Sequence, residues 1–256
     1  MRGAVLYAPG DVRVDERRDP SIEEPADAVI RLAATCICGS DLWPYRGLDE
    51  VAGPAPMGHE YVGVVEEVGG EVTTVEPGQF VVGSFFASDN TCEICRAGYQ
   101  SGCVRRVPMN PIGTQAQFAR IPLADGTLVV TPGTPDADLV PGLLAASDVL
   151  GTGWFGAVAA DAGPGRTVAV RPGGHVGYVG VAHGVELPGE ELFFSLVHLH
   201  GGPAPVRRFL PELIRLICER EIDPGPVFDL TLPLEEAAEG YRAMDERRAV
   251  KVLLTP

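Results

Sequence analysis

Three cysteines within twelve residues constrain the folding of this chain more than any other feature of its sequence. They follow the spacing Cys92-x2-Cys95-x7-Cys103 in the segment DNTCEICRAGYQSGC, which begins with Asp89. Zn²⁺ takes four ligands in a tetrahedron, and a short x2 spacing lets one turn supply two of them without strain. The pattern predicts a loop folded around a structural zinc ion, with Asp89 as the fourth ligand. Water or Ser88 is the alternative fourth ligand, and three unrelated cysteines are the alternative to the whole site.

The overall charge and the cysteine usage exclude several classes of protein. The 256 residues include 20 Lys and Arg against 35 Asp and Glu, a formal net charge of −15, which repels nucleic acids and anionic lipids. No apolar run reaches the roughly 18 residues that cross a bilayer, and the first residues lack the pattern of a secretory signal. We therefore expect a cytoplasmic protein without a nucleic-acid or membrane partner. Its six cysteines, at positions 36, 38, 92, 95, 103 and 218, then favour metal ligation over disulfides.

The hydrophobic pattern divides the chain at Asp136. Before it, short β-branched or alternating runs between Pro, Gly and Asp turns predict a small barrel or sandwich. These strands are Gly3–Tyr7, Val12–Asp15, Asp27–Ala34, Tyr61–Val68 and Phe80–Phe86. After it, helical and extended patterns alternate, so we expect an α+β fold in two parts. The later elements are helices Asp136–Ser147, Trp154–Ala162, Val206–Glu221 and Leu234–Met244, with strands Arg166–Val170, His175–Val179 and Val250–Leu254.

A second set of metal-binding residue types is scattered through three short motifs. They are Cys38-Gly39-Ser40-Asp41, Gly58-His59-Glu60 and Ser147-Asp148. A single cysteine or histidine is more often a packed core residue than a ligand. Together with SDVLGTGW, GGHVGYVG and the closing EEAAEGYRAMDERRAVKVLL, however, the motifs resemble the zinc alcohol dehydrogenases of the medium-chain dehydrogenase/reductase family.

The resemblance implies a GroES-like β-barrel catalytic domain and a second, catalytic zinc site. In this family the residues matching Cys38, His59 and Asp148 bind that zinc, which leaves its fourth position open. The resemblance places Glu60 beside the metal, gives Asp41 the role of orienting His59, and gives Ser40 the role of relaying a proton.

Two positions depart from the family pattern. Trp43 and Phe155 stand where many relatives carry histidines. These changes imply a weaker proton relay and a more apolar pocket, without by themselves removing catalysis.

The family's reaction also needs NAD(P), and the part of the sequence that should bind it is short. Arg166–Val170 resembles the first strand of a Rossmann unit, but only RPGG separates it from His175–Val179, which resembles the fifth. Neighbouring parallel strands need a crossover of about a dozen residues, and on the order of 90 residues are absent here. The G-x-G-x-x-G match at Gly151–Gly156 does not follow a convincing strand, and we interpret it as a helix start beside Asp148. NAD(P) is therefore not expected to bind.

The expected organisation has three parts. Residues 1–150 form the zinc-binding barrel, 151–225 a linking helix and truncated Rossmann remnant, and 226–256 a helix and strand that return to the barrel. Removing the central strands would expose Phe193–Leu199 and the Val206–Cys218 helix, so we expect a homo-oligomer that covers them.

Three functions are compatible with this sequence, and a fourth, an ordinary dehydrogenase, requires a partner chain that supplies the nucleotide site. The first is an alcohol dehydrogenase-like protein that binds a small alcohol or carbonyl compound but has lost most or all autonomous NAD(P)-dependent turnover. The second is a cofactor-independent hydrolase, hydratase or lyase that uses the open zinc as a Lewis acid. The third is a non-catalytic scaffold that zinc stabilises.

Overall fold

The computed structural model describes residues 1–110, 112–163, 172–180, 186 and 189–256. The strands are β1 (Arg2–Ala8), β2 (Asp11–Glu16), β3 (Ala28–Cys36), β4 (Ala55–Pro56), β5 (Tyr61–Val68), β6 (Phe80–Gly83), β7 (Phe86–Ala87), β8 (Val107–Pro108), β9 (Phe118–Ile121), β10 (Leu128–Val130), β11 (His175–Tyr178), β12 (His198–Gly201), β13 (Leu230–Pro233) and β14 (Val252–Thr255). The α-helices are α1 (Leu42–Tyr45), α2 (Glu93–Arg96), α3 (Ala124–Thr127), α4 (Val140–Ala146), α5 (Val149–Ala159), α6 (Gly189–Ser195), α7 (Val206–Cys218) and α8 (Ala237–Asp245). Short 3-10 turns cover Gly39–Asp41, Gln100–Gly102, Ala137–Leu139, Gly225–Val227 and Leu234–Glu236.

A seven-stranded sheet forms the body of the molecule. Its order is β10-β6-β5-β3-β14-β13, with β9 also paired to β3, and β1 forms a smaller sheet with β2 and β4. The longest pairing, β3 with β5, is antiparallel and has two register shifts. Gly63 of β5 lies so close to β3 that an added Cβ would be 2.2 Å from the Arg31 carbonyl oxygen. The α+β class and the β-rich first half are thereby confirmed.

Among the described residues, three buried clusters form the core. One fills a face of the large sheet between β3, β5, β6 and β9, and another lies between β1, β14 and α8. The third joins the opposite face of β3, β5 and β6 to α4, α5 and α7. Because side chains alternate between the two faces of a strand, the same strands contribute to the first and third clusters.

The expectation that the Val206–Cys218 helix lies exposed is wrong. Seven of its thirteen residues are buried, including Leu210 and Leu213 at 0% exposure. The helix packs on α4 and α5 and contributes side chains to the cluster beneath the sheet. These contacts cover the apolar face that was expected to be exposed. By contrast, Phe193, Phe194 and Leu196 are 75%, 72% and 69% exposed, which confirms the other half of that expectation.

A small β-α-β unit follows α5. Strands β11 and β12 are parallel and in register from His175↔His198 to Tyr178↔Gly201, with α6 in the connection between them. This pair forms a separate two-stranded sheet that rests on α5. We call β11, α6 and β12 the Rossmann remnant, after the expectation stated above, which stays a prediction. The predicted strand Arg166–Val170 lies outside the described residues.

Helix α5 begins directly after Asp148 and contains the whole Gly151–Gly156 motif. The interpretation of this motif as the start of a helix is therefore confirmed. The helix predicted over Trp154–Ala162 therefore starts five residues earlier, at Val149, and ends at Ala159. The predicted strand Phe80–Phe86 is likewise divided into β6 and β7. In the described part of the chain no single helix could cross a bilayer by length and composition. Taken together, the segments Ala137–Ala146 and Val149–Ala159 pass the same test of length and composition, but they are bent by 48° at the break between them.

Candidate metal centres

The predicted cysteine loop brings its four candidate ligands together. One ligand atom from each of Asp89, Cys92, Cys95 and Cys103 lies within 4.8 Å of the others. Cys92 is the N-terminal cap of α2, and its sulfur accepts a hydrogen bond from the Cys95 backbone N–H at 3.5 Å. The Cys103 sulfur accepts from the backbone N–H groups of Asp89 and Arg105 at 3.5 and 3.3 Å. Backbone N–H groups aimed at sulfur stabilise thiolates, so this loop is suited to a cation.

Protonation states in the loop fit the same purpose. Burial alone would raise the pKa of Asp89, but backbone N–H groups of Thr91 and Cys92 donate to its carboxylate and lower the pKa to about 2. Hydrogen bonds from the backbone N–H groups of Val104 and Cys95 lower the pKa of Cys92. Burial raises the pKa of Cys95. A metal ion would therefore find Asp89 ionised but would have to displace a proton from Cys95.

The cysteine loop also contacts the segment that leads into α7. Ser101 donates its hydroxyl hydrogen to the Pro203 carbonyl at 2.7 Å, and Arg106 donates to the Ser101 carbonyl at 2.8 Å. The loop is therefore tied to the second half of the chain as well as to the sheet.

Three separate segments build the second cluster. Cys38 follows β3, His59 and Glu60 precede β5, and Asp148 is the N-cap of α5. One ligand atom from each of these four residues lies within 4.8 Å of the others. The Asp148 Oδ2 atom is 3.6 Å from the Cys38 sulfur and 3.3 Å from His59 Nε2. The fold thus unites Cys38, His59 and Asp148, as the resemblance implies, and adds Glu60 as a fourth possible ligand.

The remaining two predicted residues lie in the 3-10 turn after Cys38. Asp41 is buried, and its Oδ1 atom lies 3.3 Å from His59 Nδ1, on the side of the ring opposite Asp148. The other oxygen of Asp41 accepts from the Cys38 backbone N–H at 3.0 Å. Ser40 is half-buried in the same turn and is not among the four clustered residues.

Two polar residues that the sequence reasoning missed support this cluster. Gln115 donates through Nε2 to Asp41 Oδ2 at 3.1 Å and accepts at Oε1 from the Tyr241 hydroxyl at 2.9 Å. Thr152, one helical turn after Asp148, donates to its Oδ1 atom at 2.8 Å. Gln115 belongs to no motif, and Thr152 lies within SDVLGTGW at a position to which no role was assigned.

A third missed residue is Lys251, whose Nζ lies 2.7 Å from Glu60 Oε1. The signal that could have found it is composition, because Lys251 is the only lysine in the chain.

The second cluster fits a bound zinc ion. Its donor set of sulfur, imidazole nitrogen and carboxylate oxygen is one that Zn²⁺ prefers. One buried polar atom beside it, Glu60 Oε2, has no hydrogen-bond partner. Asp41 Oδ1 and His59 Nδ1 instead face each other at 3.3 Å. A buried carboxylate oxygen without a partner is costly, and a cation among these ligands would compensate for it.

The electrostatics of the cluster link metal binding to proton release. Burial and the carboxylates of Glu60 and Asp148 raise the pKa of the Cys38 thiol. Burial alone would lower the pKa of His59, but the charges of Asp41 and Cys38 outweigh it and raise that pKa well above its usual value. Burial would raise the pKa of Asp148, but its hydrogen bond with His59 lowers it. Metal binding must therefore displace protons from Cys38 and His59, so it is favoured as the pH rises.

The surroundings of the cluster are aromatic on one side. The Phe85 ring meets His59 edge-on with a centroid distance of 6.2 Å. Phe155, one of the two family departures, is 2% exposed and packs on Phe209 and His200 in the core beneath the sheet. In this chain Phe155 therefore belongs to the core.

Comparison with known proteins places this geometry in a family. Residues 24–133 match the alcohol dehydrogenase GroES-like domain. The chain is 38% identical over 161 residues to the zinc-type alcohol dehydrogenase B of Aspergillus flavus and 40% identical over 171 residues to a medium chain reductase/dehydrogenase of an Acremonium species. These matches cover 61% and 64% of this chain, but only 37% and 57% of the two relatives. In fold, the chain is similar to the alcohol dehydrogenase of Thermus sp. ATN1, with a TM-score of 0.89 at 24% identity over 100% of this chain and 99% of that one.

A longer alignment locates the difference in length inside the chain. A probable zinc-binding alcohol dehydrogenase of Mycobacterium tuberculosis is 27% identical over 328 aligned positions, which include 94% of this chain and 84% of the relative. The aligned 94% of this chain is about 241 of its 256 residues. About 87 of the 328 aligned positions therefore have no counterpart in this chain. The chain is therefore shorter than this relative inside the aligned region. The matched domain, the relatives and the clustered ligands agree, and the chain belongs to the zinc alcohol dehydrogenases of the medium-chain dehydrogenase/reductase family.

Proposed function

We propose that this chain binds two zinc ions and a small alcohol or carbonyl compound, but does not by itself transfer hydride to or from NAD(P). The structural ion is held by Asp89, Cys92, Cys95 and Cys103, and the second ion by Cys38, His59 and Asp148. The observation that carries the proposal is a contrast within one chain. The second cluster has its ligands and their supporting residues in place, whereas the described Rossmann remnant is a two-stranded sheet.

The remnant offers poor conditions for a dinucleotide. A Rossmann unit places the pyrophosphate at a helix N-terminus that follows a strand and a glycine turn. The helix between β11 and β12 is α6, and its first turn carries Glu190 and Glu191. Two carboxylates at that position repel a pyrophosphate. The G-x-G-x-x-G motif lies inside α5, where the backbone N–H groups from Thr152 onward are used for helical hydrogen bonds.

The second cluster is suited to carbonyl chemistry because of how its residues are held. Asp41 fixes the His59 ring so that Nε2 faces the other ligands, and Gln115 in turn fixes Asp41. Thr152 fixes the Asp148 carboxylate. Bound Zn²⁺ supplies Lewis-acid chemistry, because it polarises a carbonyl group and favours the ionised form of an alcohol. Ser40, a half-buried residue in the turn after Cys38, would exchange a proton with the alcohol.

Metal counting combined with nucleotide titration tests this proposal. We expect two zinc ions per chain in the purified protein and one in a Cys38→Ser variant, measured by mass spectrometry. NADH and NADPH fluorescence should not change on addition of the protein. Micromolar nucleotide binding would contradict the loss of autonomous hydride transfer, and one zinc ion in the unmodified protein would contradict the second metal centre.

The same samples separate the two alternatives. Zinc-dependent turnover of ester or carbonyl substrates without nucleotide would indicate the Lewis-acid enzyme. A Cys38→Ser variant that loses thermal stability, with no small-molecule binding in the unmodified protein, would indicate the scaffold.

A further inference from the structure

The only lysine of the chain is buried beside the second metal cluster. Lys251 directly precedes β14 and is 4% exposed, although the other 19 basic residues are all arginines. A buried ammonium group is costly unless it is paired and hydrogen-bonded. Its backbone is fixed as well, because Asp229 accepts hydrogen bonds from the N–H groups of Val250 and Lys251 at 2.9 and 3.1 Å.

The partner of Lys251 is a candidate metal ligand. Its Nζ donates to Glu60 Oε1 at 2.7 Å and contacts the Ile37 carbonyl at 3.4 Å. Glu60 is 0% exposed, and its other oxygen, Oε2, has no hydrogen-bond partner. Glu60 therefore lies between two sites that attract its negative charge, the ammonium group of Lys251 and the metal cluster.

The short distance between Glu60 and the other candidate ligands gives the ion pair with Lys251 its significance. One of its carboxylate oxygens is within 4.8 Å of the ligand atoms of Cys38, His59 and Asp148. A small displacement would bring that oxygen to the metal and fill the fourth coordination position, which a catalytic zinc keeps open for its substrate. The ion pair with Lys251 opposes that displacement.

We propose that Lys251 is a positioning residue that holds Glu60 back from the metal and so keeps the fourth coordination position available to a small ligand. The proposal rests on the metal centre described under Proposed function. Without Lys251, Glu60 would be a buried carboxylate without a cation, and the metal ion would be its nearest compensating charge. Glu60 would then close the site.

Cobalt substitution tests this inference through the absorption spectrum of the bound ion rather than through activity. In the unmodified protein, imidazole should change the spectrum of cobalt at the second cluster, because it enters the open position. In Lys251→Met the imidazole response should be lost, and cobalt affinity should rise roughly tenfold, the size of change that groups around a metal site typically produce. Lys251→Arg should keep the response because it keeps the cation. Cobalt in the four-ligand cysteine loop is the internal reference.

A double variant separates positioning from a merely structural role. Lys251→Met combined with Glu60→Gln should regain the imidazole response, because the amide is a poor metal ligand.

If Lys251→Met only lowers the melting temperature and retains the response, the inference is wrong. An unmodified protein that binds two cobalt ions but does not respond to imidazole would also overturn it. Binding of only one cobalt ion would instead show that the proposed metal centre is wrong. If Lys251→Met does not fold, Lys251→Gln replaces it in the same comparison.

The single lysine provides a second readout. Lysine labelled with ¹³C at Cε gives one side-chain NMR signal, which reports on Lys251 alone. We expect this signal to keep the shift of a paired ammonium group when zinc binds. A zinc-induced change to the shift of an unpaired lysine would overturn the inference.

Discussion

At the scale of single residues, Gln115 connects the metal cluster to the C-terminal helix. Its amide nitrogen donates to Asp41 and to the Cys36 carbonyl, so its oxygen is left to accept from the Tyr241 hydroxyl. All of these groups are buried. The orientation of Asp41, and through it that of His59, therefore depends on a hydroxyl group in α8.

Removing that hydroxyl should destabilise the protein. In Tyr241→Phe the Gln115 oxygen loses its partner in a buried environment, which costs about 1–3 kcal/mol. Urea unfolding measures the loss. Tyr99→Phe, at a tyrosine that is 40% exposed, is the matched control and should change stability by less than about 0.5 kcal/mol. Equal effects of the two variants would contradict the role given to Gln115.

Asp125 gives a pH-dependent prediction away from the metal clusters. Burial would raise its pKa, but hydrogen bonds from the Thr73 hydroxyl and from the backbone N–H groups of Thr73 and Thr74 outweigh burial and lower it. A lowered pKa in the folded state stabilises the protein above the unfolded pKa of about 4 and loses that effect as the pH falls through the folded pKa.

We expect Asp125→Asn to be about 1 kcal/mol less stable than the unmodified protein at pH 7, a small value because the carboxylate is partly exposed. The difference should narrow as the pH falls below about 4. Urea unfolding at several pH values measures it. A difference that is constant with pH would show that the hydrogen bonds do not depend on the ionised carboxylate.

At the scale of secondary-structure elements, the Rossmann remnant is held against α5 by close backbone packing. A Cβ added at Gly177 in β11 would lie 2.1 Å from the Gly156 carbonyl oxygen and 2.8 Å from the Ala160 nitrogen. Both neighbours are backbone atoms, so they cannot rotate away.

Gly177→Ala should therefore cost about 1–3 kcal/mol through overpacking. Gly153→Ala in α5 is the control, since nothing lies within 4 Å of its added Cβ. That control should stabilise the helix by up to about 1 kcal/mol, because alanine favours helix. Thermal unfolding compares the two variants, and a stable Gly177→Ala protein would argue against close packing of β11 on α5.

Local patterns in the sequence predicted some elements well. Strand β5 has the predicted bounds Tyr61–Val68, and the helical spacing before Cys218 corresponds to α7. The cysteine loop was predictable because all four of its candidate ligands lie within fifteen residues. The division at 1–150, 151–225 and 226–256 stays a prediction.

Contacts between distant segments were not predictable in the same way. Lys251 and Glu60 are 191 residues apart, and neither has a partner at a recognisable spacing. The exposure of α7 was wrongly predicted because the sequence shows which strands are missing but not that α4 and α5 cover the helix instead. Family resemblance, rather than periodicity, indicated Cys38, His59 and Asp148.

At the scale of the whole molecule, the exposed face of the remnant favours self-association. Phe193, Phe194 and Leu196 are all more than two-thirds exposed in or next to α6. Contiguous apolar groups of this kind are usually covered by another protein surface. The net charge of −15 opposes association between copies at low ionic strength.

We expect a homodimer or larger assembly at micromolar concentration, strengthened by added salt, when the mass is measured by light scattering. Phe193→Glu combined with Phe194→Glu should shift the protein toward monomer. Val104 lies outside the remnant and is 73% exposed, so Val104→Glu is the control and should leave the mass of the assembly unchanged. A monomeric unmodified protein would contradict the expectation.

The position of β14 in the large sheet has a consequence for biosynthesis. Residues 252–255 lie between β3 and β13, so β3 waits for a strand that begins 216 residues after its own last residue. Until β14 has been made, the end of β3 at Thr35 and Cys36 lacks this neighbour, and an unpaired strand edge invites pairing with other chains. The sheet, and with it the Lys251–Glu60 pair, can be completed only once β14 has emerged from the ribosome.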